Sequence, residues 1–155
     1  MVEHVLRTLE GVVASVSISV SDGTSCPAHL RHLSQEDALP GTGPMGGIYT
    51  GLLRMESDWL VTIAGDMPYL TSRSIDRLCS AIDSDSRAVV AVDAAGRLHP
   101  LTAAYHHENL EVAEACLRSR DHAVMHFISK IENVRYVTLP DEELRNVNRP
   151  EDLLR

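Results

Sequence analysis

Apolar residues recur along this chain in two rhythms, and their alternation predicts most of the architecture. Val2, Val5, Leu6 and Leu9 fall at helical spacing, so the chain opens in a helix that Gly11 ends. Val16, Ile18 and Val20 alternate with serines, a strand pattern broken by Ser21-Asp22-Gly23. The polar stretch that follows, with Pro27 and Pro40, reads as loop up to Gly41. Gly43-Pro44-Met45-Gly46-Gly47 then leads into a helix through about Met55. Trp59–Ala64 is nearly all apolar and reads as a buried strand. Thr71 or Ser72 caps a helix with Ile75, Leu78, Cys79 and Ile82 on its inner face.

Ala88–Val92 is a further apolar strand, Ala95-Gly96 a turn, and Leu98–Tyr105 an extended return, read as antiparallel. Glu108–Leu117 is helical, and Asp121 is placed to cap another helix carrying Val124, Phe127, Ile128 and Ile131 on one face. Val134–Leu139 is the last strand, and Pro150 opens a short terminal helix, a favoured first position for proline. Strands alternating with helices predict a mostly parallel sheet covered on both faces, in one domain over residues 1–155.

Composition narrows the function classes. With 44% hydrophobic residues the chain buries a sizeable core. A net charge of −8 argues against non-specific binding to nucleic acid or a membrane surface. No signal peptide or apolar span of membrane length is visible, and a cytoplasmic location is expected. Cys26, Cys79 and Cys116 have no C-x-x-C spacing, and Cys79 and Cys116, on apolar faces of expected helices, read as small core residues.

Three segments carry candidate chemistry. Asp66 ends the Trp59–Ala64 run and is followed by the rigid Met67-Pro68. Ligands of α/β sheets bind outside the carboxyl ends of strands, and Mg²⁺ takes one or two carboxylates besides phosphate oxygens and water. Asp66 therefore suits a metal beside a nucleotide phosphate; a turn or cap role is the alternative. Gly43, Pro44 and Gly46 precede a helix, where backbone N–H groups approach an anion closely; an ordinary glycine turn is the alternative. Asn146 and Asn148 face the same way in extended chain and offer two amides to a phosphate, sugar or ring edge, unless they serve as caps. His106-His107 and His29/His32 show no convincing metal pattern; His122 and His126 have the i,i+4 spacing of a metal pair, but no Glu follows His122, and they read as a surface face.

Together these residues resemble the molybdenum cofactor guanylyltransferase family of the nucleotidyltransferase superfamily. The resemblance rests on Asp37, Gly43-Pro44-Met45-Gly46-Gly47-Ile48, Ala64-Gly65-Asp66-Met67-Pro68-Tyr69-Leu70, His99-Pro100-Leu101 and Asn146-Val147-Asn148-Arg149-Pro150-Glu151-Asp152-Leu153. It implies a Rossmann-like three-layer α/β sandwich, of the nucleotide-diphospho-sugar transferase type, lacking the first strand. It implies transfer of GMP from GTP to Mo-molybdopterin with release of pyrophosphate, and Mg²⁺ as cofactor. Asp66 would hold the metal and the nucleotide phosphates, and Asp37 the nucleotide portion. Asn146 and Asn148 would line the meeting point with the pterin phosphate. Ser21 or Ser19 stands where the family often has an Asn near the nucleotide.

Molybdoenzyme maturation proteins are further expected partners; nucleic acid and membranes are not. A cytidylyltransferase acting on the same cofactor and a non-catalytic binding protein are the competing readings. Two departures matter. The family's opening strand and glycine-rich loop with its Lys have no counterpart before Gly43, and Lys130 lies far downstream. Arg149 stands where relatives carry Thr. The chain as written is accordingly expected to have exposed strand edges, to associate or fold poorly, and to transfer weakly.

Overall fold

The computed structural model describes residues 2–21, 26–120 and 122–147. The elements run α1 (Val2–Leu9), β1 (Ile18–Val20), β2 (Ser34–Glu36), α2 (Pro44–Arg54), β3 (Trp59–Ile63), α3 (Ser72–Ser80) and β4 (Ala88–Val92). After them come β5 (Leu98–His106), α4 (Leu110–Arg118), α5 (Val124–Ser129) and β6 (Val134–Thr138). Short 3₁₀ turns occupy Ala28–Leu33 and His107–Asn109.

The main sheet has the order β3-β5-β4-β6. β5 runs antiparallel to both of its neighbours, and β6 runs parallel to β4. β3, β4 and β6 therefore share one direction, with β5 inserted against them. Alternation along a strand sends successive side chains to opposite faces. Ala88 and Val90 of β4, with Ala103 and Tyr105 of β5, pack into a cluster with Ile48, Cys116 and Phe127, which come from α2, α4 and α5. Val89, Ala91 and Ala104 face the other way, onto Val5, Leu9, Ile75 and Leu78 of α1 and α3. Both faces are covered, giving three layers, and this is why β4 reads as unbroken apolar sequence.

β1 and β2 form a separate parallel pair, with Ile18 opposite Ser34 and Val20 opposite Glu36. Two helices join it to the main sheet. On α2, a Cβ at Gly47 would come within 3.0 Å of Ser19 Oγ, and one at Gly51 within 2.8 Å of Leu60 Cδ2. One helical turn thus rests on both β1 and β3. On the opposite layer, Val2 and Leu6 of α1 pack on Val20, Cys26 and Leu30. Val5 and Leu9 of the same helix enter the main core. Since β5 occupies one side of β3, the β1–β2 pair lies on the other, and β1 and β3 are not paired with each other.

Several expectations need correction. The polar stretch before Gly41 is not all loop: it holds a 3₁₀ turn and β2, a strand of Ser-Gln-Glu with no apolar rhythm to announce it. The helix read from Glu108 begins as a 3₁₀ turn and becomes α-helical at Leu110. The next helix starts at Val124 with Ala123 at its N-cap, while Asp121 lies outside the described residues, as do Asn148 and the helix expected from Pro150. Thr71 does cap α3, its side chain accepting from Ser74 N–H at 3.3 Å. The three cysteines are free; Cys116 is buried, as a small core residue would be, while Cys79 is only half-buried. Among the described residues no helix is long and apolar enough to cross a membrane.

Candidate active site

Asp66 sits in the turn that leaves β3, and three contacts fix that turn. Val147 N–H donates to the Asp66 carbonyl at 2.8 Å. Met67 is 1% exposed, and its sulfur accepts the Thr102 hydroxyl at 3.1 Å. Leu70 N–H closes onto the Met67 carbonyl at 3.4 Å. The backbone is thereby held from both sides, while the half-buried Asp66 carboxylate has no hydrogen-bond or ion-pair partner among the described residues. The Val147 link also brings the exposed amide of Asn146 beside the turn.

The segment carrying Asn146 is itself anchored. Glu143 Oε2 accepts both the N–H and the hydroxyl of Thr71, at 3.0 and 2.9 Å. Asp141 Oδ1 accepts Ala94 N–H at 2.8 Å, tying the segment to the turn between β4 and β5.

Asp37 lies on the β1–β2 side. Its N–H donates to the Val20 carbonyl at 3.1 Å, and its carboxylate accepts the Ser19 hydroxyl. Ser19, rather than the exposed Ser21 at the end of β1, is therefore the serine engaged with Asp37. A Cβ at Gly47 would also lie 3.9 Å from Asp37 Oδ1, so Asp37, Ser19 and the start of α2 meet. Gly43 has φ 61 and ψ −151, a region essentially reserved for glycine. Gly46 is required for another reason: a Cβ there would fall 2.1 Å from Thr42 Oγ1 and 3.2 Å from the Leu39 carbonyl. Pro44 takes the first turn of α2, where its missing N–H costs nothing.

A cleft of about 580 Å³ opens on the β5 side of Asp66, walled by Ala64, Met67, Arg97, His99, Arg145 and Asn146, among others. A bulge makes its wall. Val90 pairs with Ala103 but the next residue, Ala91, pairs with His99, so residues 100–102 stand out from the β4–β5 ladder. The Tyr105 hydroxyl braces the bulge by donating to the Pro100 carbonyl at 2.7 Å, and burial pushes that phenol's pKa well up. Behind the wall, Asp93 Oδ1 accepts Ala95 N–H at 3.0 Å and Arg97 N–H at 2.8 Å.

These bonds hold the Asp93 carboxyl below its ordinary 3.8, with the Arg97 N–H first, partial burial working against, and the His99 and Arg97 side chains adding to the lowering. A depressed folded pKa contributes stability above the ordinary value that is lost as pH falls through the folded one. Asp93→Asn is therefore expected to lower Tm at neutral pH, with the gap from the parent closing as pH drops below about 4. Circular dichroism melts over a pH series check this; a gap that stays constant refutes it.

A second cluster appears at the far end of the sheet. Ligand atoms of His106, His107 and Glu108 lie within 4.8 Å of one another. His106 pairs with Trp59 at the start of β3, so this group is at the opposite end from Asp66. Glu108 joins His106-His107, for which the sequence shows no convincing metal pattern, in this grouping. That carboxylate already binds Arg87 Nε at 2.5 Å, and His106 Nδ1 accepts the Glu108 N–H at 3.4 Å.

Comparison with known proteins agrees with this layout. A molybdenum cofactor guanylyltransferase of Vibrio parahaemolyticus is 28% identical over 99% of this chain and 78% of its own length. The crystal structure of molybdopterin-guanine dinucleotide biosynthesis protein A from Archaeoglobus fulgidus superposes with a TM-score of 0.75, at 21% identity, covering 99% of this chain and 81% of that one. The 2-C-methyl-D-erythritol 4-phosphate cytidylyltransferase of Thermus thermophilus shares the fold, with a TM-score of 0.74 at 16% identity over 98% and 84% of the two chains. The MobA-like NTP transferase domain matches residues 1–134, and the chain, with its strand-end Asp66 and its glycine-led α2, belongs to that family.

Proposed function

We propose that this domain transfers a guanylyl group from GTP to the phosphate of molybdopterin carrying molybdenum. An oxygen of the acceptor phosphate forms a bond to the α-phosphorus of GTP. The bond from that phosphorus to the oxygen bridging the β-phosphate breaks, and pyrophosphate leaves. The observation that carries the reading is Asp66: a carboxylate without a partner among the described residues, on a turn pinned by Val147 and Thr102, at the carboxyl end of a strand. Similarity to guanylyltransferases along nearly the whole chain supports the nucleotide and the acceptor.

A single half-buried carboxylate facing solvent fits Mg²⁺, which prefers one or two carboxylates plus phosphate oxygens and water. When bound, that ion neutralises charge building on the leaving pyrophosphate. The protein's own work is positioning. Asp37 and Ser19 meet the nucleotide portion, the Gly43–Gly47 backbone lies against its phosphates, and Asn146, with Asn148, orients the acceptor.

Pyrophosphate release tests the reading, with GTP or CTP, Mg²⁺ and Mo-molybdopterin supplied to this chain and to a version lengthened in frame upstream. GTP-dependent release is expected. CTP-dependent release instead would identify a cytidylyltransferase. Retained cofactor binding with no release in either version would replace the enzyme by a binding protein, with molybdoenzyme maturation proteins as its partners.

A further inference from the structure

The sequence is strongly acidic, yet the cleft on the β5 side of Asp66 is walled by Arg97, Arg145 and His99. Asp141 is the acid among the lining residues, and its carboxylate already accepts the Ala94 N–H. Arg145 makes no hydrogen bond or ion pair among the described residues. Arg97 uses Nε on Asp93 Oδ2 at 3.0 Å, and its terminal amino groups have no partner among the described residues. His99 Nε2 is shut off from solvent by the protein and faces Asp93 Oδ2 at 3.5 Å, behind the cleft wall. The Arg145 guanidinium and the terminal amino groups of Arg97, on one cleft wall, are the chemistry that receives a phosphate.

We propose that this cleft is the subsite for the phosphomonoester group of the acceptor, with Arg145 and Arg97 as its cations. The inference rests on the transferase reading above. Topology favours the acceptor over the nucleotide. Asp37, Ser19 and Gly47 gather on the β1–β2 side of β3, whereas the cleft lies on the β5 side. Asp66 stands between them, at the end of β3 itself. In-line displacement needs the attacking oxygen and the leaving group on opposite faces of the reacting phosphorus. Donor and acceptor binding on the two flanks of Asp66 meets that need, and Asn146 is placed on the acceptor flank.

Phenyl phosphate is a suitable probe, since it is a phosphomonoester on an aromatic ring and carries no nucleoside. Titrated into the whole chain and followed by NMR, it should shift the Arg145 Nε–H and His99 ring signals saturably. Arg145→Ala should weaken its binding about tenfold. Mg²⁺-GTP binding should stay within about twofold in that variant, because the sites are separate. Unchanged phenyl phosphate affinity in Arg145→Ala, or shifts confined to Asp37 and Gly43–Gly47, would overturn the proposal. Failure of GTP to bind, with phenyl phosphate still dependent on Arg145, would remove the transfer reading and leave the anion subsite standing.

Discussion

Asp66→Ala is expected to abolish Mg²⁺-dependent nucleotide binding while leaving the fold intact. The side chain makes no bond within the described residues, so its removal opens no cavity and orphans no partner. The turn is held by its backbone and by Met67, which the substitution does not touch. A lost metal ligand removes several kcal/mol of charge stabilisation, on the order of a hundredfold in affinity. Calorimetric titration with GTP, with and without Mg²⁺, gives the contrast. Equal Mg²⁺ dependence in parent and variant would refute the assignment, provided the two melt at the same temperature.

Met67→Ala tests the support beneath that carboxylate. The side chain is 1% exposed and fills the space between the β3 turn and β5. Truncating a buried methionine costs about 2–5 kcal/mol through lost burial and the cavity left behind. For a chain of this size that lowers Tm by roughly 5–15 °C. The Thr102 hydroxyl also loses its acceptor. Met67→Leu keeps most of the volume and should cost less than about 1.5 kcal/mol. Mg²⁺-dependent GTP affinity should fall in the alanine variant and recover in the leucine one. If both variants bind equally well, packing under Asp66 does not set the geometry of the site.

Much of the main sheet is legible in the sequence, and the reason is burial. β3 and β4 lie between covering helices, so their apolar runs survive in the sequence, and β5 was readable as an antiparallel return. β2 left no mark because Ser34, Gln35 and Glu36 belong to a two-stranded pair with a polar surface. The candidate residues Asp37 and Asp66 were visible as residues. Their bonding was not, since the Val147 N–H to Asp66 and the Ser19 hydroxyl to Asp37 join distant parts of the chain. The cleft was hidden for a similar reason: a register shift between Val90 and Ala91 makes its wall, and only pairing across the sheet produces one.

The division of the strands into a pair and a four-stranded sheet has a consequence for how tightly a nucleotide is held. β1 and β2 are tied to the rest of the fold by side-chain packing of α1 and α2, with no ladder to the main sheet. Local opening follows the lines of fewest shared backbone bonds. Amides of residues 18–20 and 34–36 therefore exchange with deuterium through a smaller opening free energy than those of β4. Ser19 and Asp37 ride on this pair, so if they meet GTP as proposed, only the closed fraction presents them to it. The apparent affinity is diminished by that fraction, and whatever stiffens the junction between β1 and β3 raises it without touching the ligand.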